Sequence, residues 1–147
     1  MTRHRLSPHF VIEEFDCRDG THVPDALVTA YFHLCTYWLE PLRLEFGPVH
    51  VISGFRTVAH NKAVGGAVHS VHLGRTPLPS RPARSQTAAA AADVVCRRAG
   101  QERVRRWAQR HVVAGDGLGE LGRGGIGSYP GAGFTHLDTG PRREWTV

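Results

Sequence analysis

Histidine is the residue type in this sequence with the clearest capacity for chemistry. The chain has ten histidines among 147 residues. Most lie in the polar N-terminal segment, on helical faces or at the start of a strand, where a solvent-facing or hydrogen-bonded core histidine is the ordinary explanation. Four lie in glycine-rich or strand-like segments: His60, His69, His72 and His136.

Two of these histidines could hold a metal ion together with a carboxylate. Catalytic zinc takes three ligands from His, Asp or Glu and keeps a fourth position open for water, and it lowers the pKa of that water toward about 7. His72, Asp93 and His136 could supply such a set, and Asp138 follows two residues after His136. Spacing alone does not decide the matter, because any histidine-rich protein offers such trios.

Two helices are predicted to support these residues. Apolar residues recur every three or four positions over residues 24–46, which indicates a helix. Pro41 lies inside this stripe and predicts a break or kink near Glu40. Residues 100–113 predict a second amphipathic helix with arginines on its outer face.

Short strands should carry the remaining candidates. Strands are predicted at residues 49–52, 93–96 and 134–138, and the alternation in the last one puts His136 and Asp138 on one face. The glycine-rich residues 115–127 predict a connection. Together these elements predict an α+β fold, with a short, mainly antiparallel sheet that carries the zinc site and is flanked by two or more helices.

Composition favours one globular domain spanning residues 1–147. No apolar run reaches the roughly 20 residues that a membrane span needs, and no apolar segment follows the basic N-terminus as in a signal peptide. We therefore expect synthesis in the cytoplasm and no membrane span. The net charge of +5 favours polyanionic partners, but no nucleic-acid-binding motif is legible, so no specific nucleic acid is expected.

Several motifs, in this order, resemble one known family. They are SGFRT at 53–57, HN at 60–61, VGGA at 64–67, SVHLG at 70–74, AAD at 91–93 and FTHLDTG at 134–140. Together they resemble the zinc D-alanyl-D-alanine carboxypeptidase-like peptidases, which include bacterial cell-wall enzymes and phage endolysins. The resemblance covers nearly the whole chain.

The resemblance implies a zinc cofactor, Zn²⁺, held by His72, Asp93 and His136. It also implies that Arg56 lies beside the metal, where a guanidinium can hold a substrate carbonyl or carboxylate and stabilise an oxyanion. An ion pair that fixes the loop is the alternative role for Arg56. Ser70 would line the same site and bind substrate or orient a ligand.

The general base is open at this stage. Relatives often carry an acidic residue three positions before the last ligand, where this chain has Gly133. Asp138 is the remaining carboxylate within expected reach of the metal. It could accept a proton as a catalytic base, or it could orient a ligand histidine.

The segment between the first two ligands departs from the family pattern. Twenty residues, 73–92, separate His72 from Asp93, whereas relatives have a short, tight segment there. The simplest interpretation is a surface loop inserted over residues 75–90. If Asp93 still returns to the metal, this loop lies at the rim of the cleft; otherwise the site lacks a ligand.

The resemblance therefore predicts a zinc peptidase that cuts stem or cross-link peptides of peptidoglycan, as a D,D-carboxypeptidase or an endopeptidase. A phage lysin, released by a holin or attached to the virion, would bring such an activity to the bacterial cell wall. The alternative is a non-catalytic structural component of a virion that keeps the peptidase fold and contacts other virion proteins.

Overall fold

The computed structural model describes residues 4–75, 88–114 and 124–147. A five-stranded sheet runs through this part of the chain. Its strands are β3 (Val49–Ser53), β4 (Ala91–Cys96), β5 (Gly125–Tyr129), β6 (Phe134–Asp138) and β7 (Arg143–Thr146). Their order in the sheet is β3-β4-β6-β5-β7. Every neighbouring pair is antiparallel except β5 and β7, which are parallel. The predicted α+β fold with a mainly antiparallel sheet is confirmed.

Helices flank this sheet. They are α1 (Val28–Leu34), α2 (Glu40–Phe46), α3 (Val58–Ala63) and α4 (Gln101–Ala114). A short hairpin of β1 (Arg5–Ser7) and β2 (Phe10–Val11) precedes them. None of the helices in the described ranges is both long and apolar enough to cross a membrane.

The expected irregularity before Pro41 takes the form of a π-helical turn. Residues Cys35–Leu39 are π-helical and join α1 to α2 without a gap, and Pro41 stands in the first turn of α2. Proline has no backbone N–H to donate and tolerates the first turn of a helix. The helix therefore changes its winding at this point and does not break.

The core lies between this long helical segment and the sheet. Trp38, Leu39 and Leu42 are at most 1% exposed and pack in one cluster with Val94 of β4 and Leu137 of β6. The Tyr31 hydroxyl donates a hydrogen bond of 3.2 Å to the carbonyl of Ala91, which ties α1 to the start of β4. The strand that carries Asp93 is thus fixed against the helical layer.

Two predicted boundaries need correction. Ala89 and Ala90 are fully buried, and the Ala90 N–H donates to Thr139 Oγ1, so the predicted surface loop over 75–90 extends too far at its end. The predicted connection over 115–127 also extends too far, because β5 begins at Gly125. Residues 76–87 and 115–123 lie outside the described part of the chain.

Candidate metal centre

Two adjacent strands bring the carboxylate and one imidazole of the predicted trio together. Asp93 on β4 pairs directly with His136 on β6, and side chains opposite each other on one face of a sheet lie about 5 Å apart at their Cβ atoms. Both residues are at most 5% exposed. The strand register alone is therefore enough to place the two ligand groups side by side.

The third member comes from a 3₁₀ turn beside the sheet. His72 lies in the turn Val71–Leu73, where the Ser70 hydroxyl accepts a hydrogen bond of 3.2 Å from the His72 N–H. The chain at Gly54 and Arg56 holds the same histidine, because the Arg56 N–H donates to the His72 carbonyl at 2.7 Å. This explains why the two motifs occur together.

Gly54 allows this arrangement because it has no side chain. A Cβ on Gly54 would lie 2.6 Å from the backbone of Phe15, closer than real contacts allow. The Phe55 N–H donates to the Phe15 carbonyl at 2.8 Å, so the segment lies directly against the N-terminal part of the chain. The Gly54 carbonyl then points at the His72 ring.

Three potential ligand atoms converge on one point. His72 Nε2 lies 3.1 Å from Asp93 Oδ1, His136 Nδ1 lies 3.0 Å from the same oxygen, and the two nitrogens are 3.2 Å apart. Two ligands held at about 2.0–2.2 Å by a tetrahedral ion are separated by roughly 3.4 Å. The residues present therefore fit a metal ion with little rearrangement.

The far side of each imidazole fixes which nitrogen faces that point. The Gly54 carbonyl contacts His72 Nδ1 and can only accept, so this nitrogen carries the proton and Nε2 presents a lone pair. His136 Nε2 lies 2.7 Å from Asp138 Oδ2, which leaves Nδ1 to face the centre. Outer partners of this kind orient metal-ligating histidines.

The charges around His72, Asp93 and His136 favour the binding of a cation. Burial lowers the pKa of His136, but hydrogen bonds to Asp138 and Asp93 outweigh burial and raise this pKa to about 9. Without a metal ion, the chain therefore holds a proton on His136, between two carboxylates. Burial also raises the pKa of Asp93, yet its bonds to His136 and His72 bring it well below the usual range, so Asp93 stays ionised.

Arg56 lies beside the same carboxylate. Its Nη2 is 3.2 Å from Asp93 Oδ2, and its Nε donates to Ser53 Oγ at 3.2 Å. The guanidinium thus contacts the Asp93 oxygen that does not face the histidines. Arg56 thus forms an ion pair with Asp93 and also lies beside the potential ligands, so the structure is compatible with both roles considered for it.

Asp138 lies on the outer side of the His136 ring, away from the point where the three potential ligand atoms converge. Its Oδ1 accepts from the N–H groups of Gly125 and Gly140 at 2.9 and 2.8 Å, and its Oδ2 accepts from Arg143 Nη2 at 2.8 Å as well as from His136. The residue is 0% exposed. Burial raises the pKa of Asp138, but these bonds lower it overall.

The family model for Peptidase M15 matches residues 8–138 of the chain. This match covers most of the sequence and includes every residue of the ligand group. The chain belongs to the peptidase M15 family. No curated protein and no solved structure matches it.

Membership of peptidase M15 gives the ligand group a chemical context. Peptidases of this family are metal-dependent, and His72, Asp93 and His136 form the group in the described ranges that could hold an ion. The family resemblance drawn from the sequence motifs is confirmed. The chain is thus a member of a metallopeptidase family with a group able to bind one metal.

A cleft of about 350 Å³ opens at the ligand group of this peptidase M15 domain. Arg56, His69 and Ser70 line it together with the three potential ligands. His69 is exposed at its rim. His60, the remaining candidate, lies on α3, where the Thr57 hydroxyl caps the helix by accepting a hydrogen bond of 3.1 Å from the His60 N–H.

Sequence reasoning missed the other wall of the cleft. Tyr129, Phe134, Arg143 and Trp145 line it, and the last two belong to β7, a strand that was not predicted and that follows the matched range. The alternation of Arg143 and Trp145 around Glu144 was the signal available. Four residues near a chain end are too short a run for that alternation to stand out.

Proposed function

We propose that this chain is a zinc-dependent peptidase that cuts stem or cross-link peptides of peptidoglycan, as a D,D-carboxypeptidase or an endopeptidase. The observation that carries the proposal is the convergence of two imidazole nitrogens and one carboxylate oxygen within 3.0–3.2 Å of one another. Two nitrogens and one oxygen form a donor set typical of catalytic zinc. The family resemblance supports the peptidoglycan substrate.

His72, Asp93 and His136 would hold the ion. When bound, zinc supplies a Lewis acid and lowers the pKa of a water molecule to near neutrality. The three side chains are buried. The groups that contact the outer nitrogens of both imidazoles are part of the fold, so the orientation of the imidazoles is fixed.

We propose that Arg56 binds the substrate. A guanidinium carries five N–H donors, and the contacts with Ser53, Asn61 and Asp93 use one donor each. The remaining donors lie on a side chain that is 17% exposed and lines the cleft. They can bind a substrate carbonyl or carboxylate and stabilise negative charge that develops on it. Ser70, at the same wall, can bond to the peptide backbone.

We assign Asp138 an orienting role. A carboxylate offers about four acceptor sites, and the four hydrogen bonds of Asp138 occupy them. Its complete burial keeps it from the cleft. Asp138 therefore fixes the His136 ring and its tautomer.

A different group must then accept the proton of the attacking water. Gly133 offers no side chain at the position where relatives often have an acid, and among the described residues that line the cleft the only carboxylate is Asp93. His69 is an exposed imidazole at the rim of this cleft. We propose His69 as the proton acceptor, because imidazole is the commonest general base near neutral pH.

The place of action that we propose is the bacterial cell wall, with the chain serving as a phage lysin, free or attached to the virion. The net charge of +5 supports it, because a basic surface concentrates the enzyme on an anionic polymer. Lysis of purified walls should weaken as ionic strength rises, since salt screens exposed charges over about 10 Å at 0.1 M. Lysis that is independent of salt would contradict the electrostatic part of this proposal.

One observation favours a second candidate, a non-catalytic structural component of a virion that keeps the fold. Asp138 has all its acceptor sites occupied and Gly133 has no side chain, so the acid usual in relatives has no replacement among the described cleft residues. Such a protein could still bind the metal for stability.

Digestion of purified peptidoglycan, combined with metal analysis, separates the two candidates. The wild-type protein should contain one zinc per chain and generate new free amino groups, one for each peptide bond cut, and His136→Ala should lose both properties. His50→Ala, at an exposed position of β3, is the matched control and should keep both. Zinc binding without any new free amino groups would favour the structural role.

A further inference from the structure

The last strand brings two side chains to the cleft. β7 runs parallel to β5, with Trp145 opposite Gly127 and Arg143 opposite Gly125. Both side chains line the cleft, whereas Glu144 between them is exposed. Alternation along a strand puts residues 143 and 145 on the same face. β7 therefore contributes to the metal side of the sheet, although it lies beyond the matched range of the family.

The Trp145 ring lies against the metal centre. Its centroid is 5.1 Å from that of the His136 ring. Its Nε1 donates a hydrogen bond of 2.9 Å to the Tyr129 hydroxyl, and the Tyr129 ring stacks on Phe134 at 4.4 Å with an angle of 18° between the planes. Three aromatic rings thus form a continuous wall of the cleft, which we call the aromatic wall: Tyr129, Phe134 and Trp145.

The position of the Trp145 ring is fixed from two further sides. A Cβ on Gly127 would lie 2.5 Å from Trp145 Cε2, so only glycine leaves room for the ring at that point of β5. On the other side, the Arg143 guanidinium lies 4.9 Å from the ring centroid, within the range of a cation–π contact. Because Arg143 also binds Asp138, the ring is held by residues that are themselves fixed.

The wall has the properties of a binding surface for a peptide. Ligand clefts are mostly lined by apolar and aromatic side chains with a few polar groups that fix orientation. The Tyr129 hydroxyl accepts from Trp145, which leaves its own O–H free to donate to a substrate carbonyl. Arg56 lines the same cleft, so a bound peptide would lie between a cation and a flat apolar surface.

We propose that Trp145 is a specificity-determining residue of this chain, whose ring packs against the peptide beside the scissile bond and orients the Tyr129 hydroxyl toward it. This inference rests on the proposed peptidase function and names the part of the site that binds the substrate. The matching partner is a peptide segment with small aliphatic side chains, since these leave the peptide plane free to stack on the ring.

Steady-state kinetics on cross-linked muropeptide dimers, which contain both stem and cross-link bonds, test the inference. Trp145→Phe removes the N–H donor and part of the ring. It should raise KM about fivefold, the loss expected for one aromatic contact, and leave kcat within about twofold. Gly127→Ala displaces the ring without removing it and should raise KM to a similar extent. Trp107→Phe, on α4 and outside the cleft, is the control and should leave KM unchanged.

Binding gives a second readout that does not depend on turnover. The purified cleavage products should change the tryptophan fluorescence of the wild type and of Trp107→Phe, and this change should be lost in Trp145→Phe. Metal content should be equal in all these proteins. A KM and a fluorescence response that are unaltered in Trp145→Phe would overturn the inference and leave the proposed function intact. A wild type that neither binds nor cleaves the dimers would contradict both.

Discussion

His72 Nε2 lies 3.1 Å from Asp93 Oδ1, although the two residues are 21 positions apart in the chain. An antiparallel bridge between Arg75 and Ala88 accounts for this, together with a hydrogen bond of 3.1 Å from the Ala89 N–H to the Gly74 carbonyl. These contacts bring the two ends of segment 76–87 together. Asp93 therefore lies beside His72 despite the 20 residues between them.

Asp93→Asn should abolish tight metal binding. The amide is a far weaker ligand than the carboxylate, and it also removes the negative charge that Arg56 and the two histidines contact. Metal affinity measured with a chelating competitor should fall at least about 100-fold, because metal sites with three protein ligands depend on each of them. Asp25→Asn, at an exposed position, is the control. Equal affinity in Asp93→Asn would show that this carboxylate is not a ligand.

Metal affinity should rise with pH up to about 9. The pKa of His136 in the metal-free chain is raised to about 9, so below that pH an entering ion must displace a proton from the ring. The apparent association constant should decrease about tenfold for each pH unit below 9. A titration between pH 6 and pH 9 checks this. An affinity that does not change across that range would contradict the position of His136 among the ligands.

Asp138→Asn and His69→Ala should have different effects. Loss of the Asp138 charge leaves the His136 ring less well oriented, and outer partners of metal ligands typically change metal affinity 10–100-fold. His69→Ala should leave metal affinity unchanged and lower kcat about 100-fold, as expected for a general base. Metal content and kcat measured on both variants distinguish the roles. If Asp138→Asn bound metal normally and lost only kcat, Asp138 would be the base.

Gly125→Ala should lower metal affinity by displacing Asp138, which contacts the outer nitrogen of His136. A Cβ on Gly125 would lie 2.4 Å from Asp138 Oδ2, so the carboxylate would have to move away from His136. We expect a loss of metal affinity close to that of Asp138→Asn, together with a thermal unfolding midpoint lowered by several degrees, because overpacking a buried site costs about 1–3 kcal/mol. Gly131→Ala is the matched control, since a Cβ there meets no atom within 4 Å. Similar midpoints for the two variants would contradict this account.

Arg56→Lys should show whether the site needs only the positive charge of Arg56 or also its planar set of donors. Lysine keeps the positive charge but lacks the planar donors that contact Ser53 and Asp93 at once. The variant should fold and bind metal, and kcat/KM should fall about 100-fold, the effect of removing one donor to a developing oxyanion. Undiminished kcat/KM would assign Arg56 to loop structure alone.

The grouping of His72, Asp93 and His136 was predictable because each of them lies in a motif of the family resemblance. The alternation around His136 also indicates a strand. The contact between Asp93 and His136 was less accessible, because it depends on the register between β4 and β6. Register depends on which faces the paired strands bury and on the connection between them, and neither strand shows this by itself.

The outer parts of the site could not be read from the sequence. Gly125 and Gly127 were predicted as loop residues because glycine is usual in connections, but here they make room for Asp138 and Trp145. The role of Asp138 stayed open because a base and an orienting carboxylate could share this spacing, and the four hydrogen bonds that favour an orienting role depend on tertiary structure. The family resemblance likewise gave no indication of β7, which follows the matched range.

A crystal structure of the zinc-loaded protein, with anomalous diffraction measured at the zinc absorption edge, would show whether these three side chains hold one ion. We expect one anomalous peak per chain, about 2.0–2.2 Å from His72 Nε2, Asp93 Oδ1 and His136 Nδ1. A zinc ion bound elsewhere, or no peak between these three side chains, would contradict this expectation.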